Sequence, residues 1–338
     1  MHAPERNQLI LTLTLNPSLD RTVELEHLIR GEVLRADAVH LDPAGKGVNV
    51  TRALLANGVS SRAILPVGGP EGDQLVALLG AEQIDAVIVP VAGQTRSNIT
   101  IAEADGTATK LNEPGAPLTA AELERVTQSV LAESGGADWV AMCGSLPPGV
   151  SPDQYASMVH RFRDAGLRVA VDTSGPALLA SLAAGPDLIK TNAEELAAAV
   201  GRNLRSWREV VSAAGSLQSF GARTVLVSMG AAGAVLLDQE GSLVGAAKPV
   251  TVRSTVGAGD AFLAGFLAAV CRPVQSSLAA RDSSRPVDRE GPLAQALAWG
   301  SAAVQLPGSR MPGPNEIEVG AGHLLTDADL HAPLVGVS

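Results

Sequence analysis

Aromatic side chains are scarce in this chain: Phe, Tyr and Trp account for 2% of the 338 residues, although 46% of the residues are hydrophobic. The core is therefore expected to consist mainly of Ala, Val and Leu. The aromatic surfaces on which single-stranded nucleic acids stack are missing. Basic residues are also in the minority, with 25 Lys and Arg against 35 Asp and Glu and a net charge of −10 at pH 7. We expect no nucleic-acid partner, and phosphate groups would have to bind through local donors.

Cysteines and long apolar runs are few as well. Cys143 and Cys271 are the only cysteines, they lie far apart without metal-type spacing, and the six histidines form no ligand-like group. Such cysteine usage favours reduced thiols in a cytoplasmic protein. The first residues, MHAPERNQ, are charged and precede only a short apolar run. This pattern indicates neither a signal peptide nor a membrane span, so we expect a cytoplasmic protein with no membrane partner.

Strand-like and helix-like segments alternate from Ala137 onward. Short apolar runs of the kind buried on both faces occupy residues 138–144, 167–172, 187–191 and 224–229. Helix starts with capping-box spacing are found at Ser151–Gln154 and, just upstream of the alternation, at Thr119–Glu122. Alternating strands and helices predict an α/β fold with a mainly parallel sheet and helices on both faces.

The first half of the chain does not show this alternation of strands and helices. Extended segments occupy residues 9–15, 21–26, 33–41, 98–104 and 107–111. The last two flank Asp105-Gly106, which is a two-residue hairpin signal. Beyond the first strand, these pieces predict a small separate sheet, inserted at about 21–41 and 97–112, that covers a cleft. Residues 271–292 are polar and interrupted by proline, and they predict a long surface loop between two helices.

The segment Gly257-Ala258-Gly259-Asp260 joins a strand-like run to an apolar helix. Backbone N–H groups at a helix start attract anions, and the two glycines let that backbone approach a ligand closely. A carboxylate in the same turn can accept a proton from an attacking hydroxyl, which together with the anion site suits phosphoryl transfer. At a helix N-terminus we expect this carboxylate to stay ionised at neutral pH. Alternatively, Asp260 only caps the helix.

A second glycine-rich segment, Gly45-Lys46-Gly47, leads through Asn49 into a helix that is predicted to end near Asn57-Gly58. It lacks the upstream glycine and the Ser or Thr after lysine that a P-loop requires. A dinucleotide-binding GxGxxG motif is absent too. The segment is therefore interpreted as a flexible loop that leads into a helix N-terminus. The Asn49 amide there can donate and accept hydrogen bonds, which suits sugar hydroxyls. The alternative is that Asn49 is an ordinary helix residue.

Three further polar residues lie next to predicted strands, and each has a simpler explanation. Asp20 follows the first strand and a turn, where it could hold two hydroxyls of a polyol or merely belong to the turn. Arg96 precedes an extended segment of the small sheet and could clamp a phosphate dianion, although lone surface arginines are common. Ser145 ends another strand and could bind substrate or only complete a turn.

Two segments fit a nucleotide and its metal ion. Asn192 and Glu195 have the spacing of a capping box, which explains them structurally, yet such oxygens also hold Mg²⁺ through water while it bridges phosphates. Ser228, Gly230 and Gly233 belong to a glycine-rich turn that ends a strand and could pass close to phosphates or an adenine.

Taken together and in this order, these segments resemble the PfkB/ribokinase family of carbohydrate kinases, from Thr12 to about Gly308. AGKGVNVTRAL near the start and TVGAGDAFLAGF near the end are similar to the two family signatures. Within the family, TLNPSLDRTVEL, LNEPG and GSLPPGV look most like bacterial 1-phosphofructokinases, with tagatose-6-phosphate kinases as close relatives. Ser254 and Val256 stand where ribokinase and adenosine kinase relatives usually have Asp and Thr, which is closer to the phosphofructokinase branch.

The resemblance implies a ribokinase-like three-layer α/β/α sandwich, a single kinase domain over residues 1–338 with the inserted sheet as a lid. It implies that Asp260 is the catalytic base and that Gly257, Ala258 and Gly259 supply the anion hole. The implied substrate-binding residues are Asp20, Gly45, Lys46, Asn49, Arg96 and Ser145. The implied nucleotide-binding residues are Lys190, Asn192, Ser228, Gly230, Gly233, Val256, Gly257, Gly259 and Ala303. Glu195 would act on Mg²⁺ through water.

The implied activity is transfer of the γ-phosphoryl of ATP, with Mg²⁺, to the C6 hydroxyl of fructose 1-phosphate, giving fructose 1,6-bisphosphate. Tagatose 6-phosphate and fructose 6-phosphate are alternative acceptors within the family. A catalytically silent regulator that binds sugar or nucleotide is the alternative of a different class, and the retained Asp260 argues against it. The lid of the family often forms an interface, so we expect a homodimer through the lid.

Overall fold

The computed structural model describes residues 9–271, 288–318, 320 and 322–324. In that part of the chain there are fourteen β-strands and nine α-helices. The strands are β1 Leu9–Leu13, β2 Ser18–Leu25, β3 Ala38–Ala44, β4 Ser61–Val67, β5 Ala86–Pro90, β6 Arg96–Glu103, β7 Ala108–Asn112, β8 Ala137–Cys143, β9 Arg168–Asp172, β10 Leu188–Asn192, β11 Val225–Ser228, β12 Ala234–Asp238, β13 Gly241–Ala247 and β14 Gly322–Leu324. The helices are α1 Lys46–Ala56, α2 Gly69–Ala81, α3 Ala120–Glu133, α4 Pro152–Asp164, α5 Gly175–Ala183, α6 Ala193–Val200, α7 Trp207–Ser219, α8 Ala258–Cys271 and α9 Glu290–Ala303.

Ten of the strands form one sheet in the order β14-β13-β12-β11-β10-β9-β8-β1-β4-β5. Neighbours from β5 through β11 pair in parallel, which confirms the predicted parallel sheet. Strands β12, β13 and β14 add to it in antiparallel pairs. The strand order reverses at β1, because the chain proceeds outward to β4 and β5 and later returns to β8 on the other side. Open α/β sheets bind ligands outside the carboxyl ends of the strands at such a reversal.

Helices cover both faces of this sheet. A buried apolar cluster joins one face to α3, α4, α5, α6 and α7, and Phe162 and Val210 are among its fully buried members. A second cluster joins the other face to α1, α8 and α9, and a third packs α1 and α2 against β4. Side chains of a strand alternate between faces, so Leu11 and Leu13 belong to the first cluster while Ile10 belongs to the second. The three-layer arrangement is the predicted one.

The remaining four strands form the predicted small sheet, in the order β3-β2-β6-β7. Strand β2 pairs antiparallel with β3 and parallel with β6, and β6 pairs antiparallel with β7. The register sets Asp20 opposite both Asp42 and Asn98, within a polar face, while the other face carries residues such as Val39, Ile99 and Leu111. We call this four-stranded sheet the lid.

Two predicted details of the lid are wrong. Strand β3 starts at Ala38, and not near Val33, and it continues to Ala44, directly before the glycine-rich segment. The β6–β7 turn holds three residues rather than two, since Glu103 N–H donates to the Thr107 carbonyl at 2.8 Å and Gly106 N–H to the Glu103 carbonyl at 2.9 Å. Gly106 has φ of 91°, as expected of the glycine bulge in a three-residue hairpin loop.

The helix starts follow the predicted local chemistry. Capping boxes are present at Thr119, Ser151 and Asn192, and α1 ends with Asn57 as its C-cap. The predicted loop over residues 271–292 is partly wrong, because α9 already begins at Glu290. The third residue of α9 is Pro292. Proline is tolerated in the first turn of a helix because the N–H groups of that turn have no partner within the helix. Residues 272–287 of this loop lie outside the described residues.

Candidate active site

The turn at Gly257 brings the start of α8 to the carboxyl end of the sheet. Gly257 has φ of 76°, and a side chain there would come within 2.5 Å of Met311, so glycine is needed both for the turn and for packing. Within the described residues, the Gly257 and Gly259 amides donate to no acceptor. Asp260 lies in the first turn of α8 and is buried. Free amides and a buried carboxylate therefore lie within one turn.

The Asp260 side chain does not cap the helix. Its Oδ2 instead accepts a hydrogen bond of 2.8 Å from Asn49 Nδ2, and Asn49 belongs to α1. Helix α1 reaches this position because Gly47 lies against β1, where a side chain would come within 2.4 Å of Thr14 Oγ1. The Asn49 Oδ1 atom is buried without a partner in the described structure. Leaving such a group unpaired costs about 1–3 kcal/mol, which favours a functional reason for this asparagine.

Asp172 is a site residue that the sequence analysis missed. It ends β9, is fully buried, and accepts from Lys46 Nζ at 2.8 Å and from Lys190 Nζ at 3.1 Å. Burial alone would raise the pKa of Asp172, but the two ammonium groups hold it below its usual value. Burial alone would lower the pKa of Lys46, yet Asp172 and Glu195 raise it well above the ordinary range. One buried carboxylate thus fixes two lysine cations.

These cations lie beside the Gly257–Asp260 turn. A side chain at Gly259 would come within 2.8 Å of Lys190 Nζ, so the lysine lies directly against this glycine. Lys46 influences Asp260 electrostatically as well. Two positive charges and two free amides surround one position, which is the arrangement that stabilises negative charge on a transferring group.

Asp260 differs from an ordinary helix-start carboxylate in its pKa, although it remains mostly ionised at neutral pH, as expected. Burial raises the pKa of Asp260 to about 6, and the Asp172 carboxylate adds to the rise. Lys190, Lys46 and the hydrogen bond from Asn49 act in the opposite direction without cancelling it. A base whose pKa lies near the working pH transfers protons more effectively than a strongly acidic carboxylate.

Asn192 and Glu195 combine the structural role with a place in the site. Asn192 Oδ1 accepts from Glu195 N–H at 2.8 Å, and Glu195 Oε2 accepts from Asn192 N–H at 2.9 Å, which confirms the capping box. The other carboxylate oxygen, Glu195 Oε1, lies 3.5 Å from Lys46 Nζ. In the described part of the chain, no group of three or more His, Cys, Asp or Glu side chains is placed to hold a metal ion.

A largely apolar cavity of about 410 Å³ opens next to the Gly257–Asp260 turn. Its lining includes the predicted nucleotide residues Ser228, Gly230, Gly233 and Gly259, together with Ala258 of the predicted anion hole. The helix α9 contributes Gly300, Ser301 and Val304. Ala303, which the resemblance places among the nucleotide-binding residues, does not line this cavity, because it is buried in the cluster between the helices. Val256 does not line the cavity either; its N–H donates to Ser254 Oγ at 3.2 Å, and Thr255 lines the cavity instead.

Asp20 follows the first strand and a turn, as predicted, and it lies inside β2 of the lid, so it is not itself a turn residue. Its Oδ1 accepts from Ser18 Oγ at 2.8 Å and from Asn98 Nδ2 at 2.9 Å. The lid adjoins helix α1 because Ser18 pairs with Ala44, and the next residue, Gly45, accepts the N–H of Asn49 through its carbonyl at 3.0 Å. Asn98 was missed as a site residue, because only the strand pairing brings it to Asp20.

Arg96 and Ser145 meet through Asn16. The Arg96 guanidinium donates to the carbonyls of Asn16 (3.0 and 3.3 Å) and Glu113 (3.0 Å), and burial lowers the pKa of Arg96. Within the described part of the chain, three of its five N–H groups are thus engaged, which leaves two for a ligand. Asn16 Nδ2 donates to Ser145 Oγ at 3.3 Å. Arg96 also lines a separate cavity of about 330 Å³ at the edge of the lid.

Comparisons with known proteins agree with this geometry. A model of the pfkB family carbohydrate kinases matches residues 13–315. The chain is 39% identical to 1-phosphofructokinase of Rhodobacter capsulatus over 265 residues, which are 76% of this chain and 82% of the relative. It is 38% identical over 257 residues to the ATP-dependent 6-phosphofructokinase isozyme 2 of Escherichia coli strain K12, covering 75% of this chain and 83% of the relative.

The structure is similar to that of phosphofructokinase-2 from Escherichia coli in complex with potassium, with a TM-score of 0.82 and 34% sequence identity over 91% of this chain and 96% of the other. The fold and the site define a phosphotransferase with an alcohol group as acceptor. The chain belongs to the pfkB family of carbohydrate kinases. Among the described residues, no helix is long and apolar enough to span a membrane.

Proposed function

We propose that this kinase transfers the γ-phosphoryl group of ATP to the C6 hydroxyl of fructose 1-phosphate. The observation that carries the proposal is the buried Asp260 carboxylate, with a pKa of about 6, in the same turn as the free Gly257 and Gly259 amides. Asp260 accepts the hydroxyl proton as the sugar oxygen bonds to the γ-phosphorus and the bond to the bridging oxygen of ADP breaks. The two amides and Lys190 offset the negative charge on the transferring group.

ATP is assigned to the 410 Å³ cavity. Its apolar walls suit the adenine, and Gly259, which lines one end, brings the γ-phosphate to the catalytic turn. Mg²⁺ is compatible with the site, because Glu195 Oε1 has no partner among the described residues except Lys46, at 3.5 Å, and can accept a water ligand of the ion. The ion would hold the phosphates of ATP and neutralise part of their charge when bound.

The sugar phosphate is assigned to the polar face of the lid and the start of α1. Asp20 Oδ2 and the two unengaged N–H groups of Arg96 supply an acceptor and donors, and Gly45, Lys46, Asn49 and Ser145 lie along the same border. We infer that the Arg96 N–H groups contact the substrate phosphate. Similarity to the 1-phosphofructokinase of Rhodobacter capsulatus favours fructose 1-phosphate as the acceptor of this kinase. Fructose 6-phosphate is the second candidate, since the isozyme 2 relative is nearly as similar.

Release of ADP tests the proposal. With ATP and Mg²⁺ present, kcat/KM is compared for fructose 1-phosphate, fructose 6-phosphate and tagatose 6-phosphate. We expect the highest value for fructose 1-phosphate, by at least about tenfold, since correct placement of one phosphate against Arg96 contributes a charge-assisted pair. A higher value for either 6-phosphate contradicts the choice of acceptor. No ADP release with all three sugars contradicts the kinase and favours a catalytically silent binding protein.

A homodimer through the lid is also proposed. The face of the lid opposite Asp20 is apolar and exposed: 49% of Val39 and 54% of Leu111 are accessible in the single chain. Exposed apolar faces of this kind mark protein interfaces. A second copy of the lid would bury this face while leaving the polar face to the sugar.

A further inference from the structure

Asn98 lies directly opposite Asp20 in the parallel pairing of β2 with β6. We propose that Asn98 is a positioning residue for the sugar: it holds the Asp20 carboxylate in one orientation and acts on the substrate only through it. The inference rests on the proposed function, in which Asp20 binds hydroxyls of the acceptor. It adds a residue on a neighbouring strand that determines how strongly the acceptor binds.

The Asn98 amide has its orientation fixed by its neighbours. Asn98 Nδ2 donates to Asp20 Oδ1 and to Ser18 Oγ, each at 2.9 Å, and Ser18 Oγ donates to the same Asp20 oxygen at 2.8 Å. A flipped amide would set Asn98 Oδ1 against the carboxylate oxygen, where two acceptors repel each other. The two donors engage Asp20 Oδ1, and within the described residues Oδ2 has no partner. The sugar therefore meets a carboxylate with one defined open oxygen.

This orientation leaves Asn98 Oδ1 buried without a partner in the described structure. An unpaired buried oxygen is unfavourable for folding, and an apolar side chain of similar size would avoid it. The fold alone therefore gives no reason for asparagine at this position. Its benefit lies in the contact with Asp20.

The carboxylate needs such a contact because Asp42 of β3 faces Asp20 from the other side. Carboxylates directly opposite each other in a sheet repel. Asn98 on β6 attracts Asp20 Oδ1 toward the strand opposite Asp42, and Ser18, on the same strand as Asp20, donates to the same oxygen, so the side chain is kept in one orientation. The same combination occurs at the base, where Asn49 donates to Asp260 and also leaves its Oδ1 buried and unpaired.

The test compares Asn98→Leu with Asn203→Leu in the full-length enzyme. Asn203 is an exposed asparagine in the loop after α6, outside the lid, so it controls for the same change of side chain away from the sugar. For Asn98→Leu we expect the KM of the sugar phosphate to rise roughly tenfold to hundredfold, as for loss of a hydrogen bond to a charged group. The KM of ATP should stay within about twofold, and the thermal unfolding midpoint should stay the same or rise. Asn203→Leu should change none of these values.

A double-variant cycle isolates the route through Asp20. In Asp20→Ala, the additional change Asn98→Leu should leave the sugar KM unchanged, since there is no carboxylate left to orient. A sugar KM of Asn98→Leu within twofold of wild type overturns the inference, as does a further increase in the Asp20→Ala background. A lowered unfolding midpoint with both KM values raised means a structural role only. If Asn98→Leu does not fold, Asn98→Ala is measured in its place. Wild-type turnover with the three sugars checks the proposed function separately.

Discussion

Asn49 Nδ2 donates a hydrogen bond of 2.8 Å to Asp260 Oδ2, although 211 positions separate the two residues in sequence. The bond ties the start of α1 to the start of α8 across the carboxyl end of the sheet. It is also one of the contacts that lower the pKa of Asp260, which burial otherwise raises. Base strength in this site is therefore set jointly by burial and by a neighbouring helix.

The first prediction concerns pH. Only the ionised form of Asp260 can accept a proton, so kcat/KM should fall as the pH drops through about 6. Asn49→Ala removes a donor that favours the ionised form, so the acid limb should move up by about one pH unit, equivalent to about 1.4 kcal/mol. Asn57→Ala, at the other end of α1, is the control and should leave the limb in place. An unchanged limb in Asn49→Ala contradicts this account of Asp260.

The second prediction concerns the buried carboxylate between two lysines. Asp172→Asn leaves the Lys46 and Lys190 cations without their shared anion and should lower the free energy of unfolding by about 3–5 kcal/mol. Glu124→Gln, which breaks an exposed pair with Arg161, should cost only about 0–1 kcal/mol. Denaturant unfolding measures both values.

Asp172→Asn should also move the acid limb of kcat/KM to lower pH. The negative charge of Asp172 raises the pKa of Asp260, so removing that charge makes Asp260 a stronger acid. Asn49→Ala and Asp172→Asn should thus shift the same limb in opposite directions. Shifts in the same direction would refute the electrostatic coupling between the two carboxylates.

Much of the fold was predictable because its signals are local. Buried parallel strands show as short apolar runs, and the starts of α3, α4 and α6 carry capping boxes that are all present. The β6–β7 hairpin was predictable for the same reason, although the number of residues in its loop was not. Helix α9 shows the limit: it is apolar on nearly every side, so its sequence does not reveal that Ser301 lines the cavity while Ala303 enters the core.

The site was only partly predictable, because its contacts join distant segments. The sequence shows an acid at the end of the apolar run that forms β9. It does not show that this acid, Asp172, accepts a hydrogen bond from Lys46, which lies 126 positions away. An acid at the carboxyl end of a parallel strand is a signal for a ligand-binding residue. We used this signal for Asp20, and the same signal would have found Asp172. The rise in the pKa of Asp260 could not be predicted from the sequence, because burial is a property of the folded chain.

The third prediction tests the nucleotide cavity. Ser301→Phe should fill part of its volume and raise the KM of ATP by roughly tenfold or more while leaving the KM of the sugar phosphate unchanged. Gln305→Phe, one turn further and exposed, is the matched control. If the two variants have equal KM values for ATP, the nucleotide does not occupy this cavity.

The fourth prediction tests the interface. Leu111→Lys introduces a charge into the exposed apolar face of the lid and should convert a dimer into monomers, because an unpaired buried charge is costly. Lys110→Glu, on the neighbouring position and the polar face, should leave the dimer intact. Light scattering at several concentrations gives the mass. A wild-type chain that is monomeric throughout would rule out the proposed interface.

The most direct measurement is the rate of ADP formation by Asp260→Asn with ATP, Mg²⁺ and fructose 1-phosphate, alongside ATP binding by calorimetry. The amide keeps the shape of the side chain but cannot accept the hydroxyl proton. We predict that kcat falls by about 10²–10⁴-fold while the Kd of ATP stays within about threefold of wild type. Turnover close to that of wild type would contradict the assignment of Asp260 as the base, and with it the proposed mechanism.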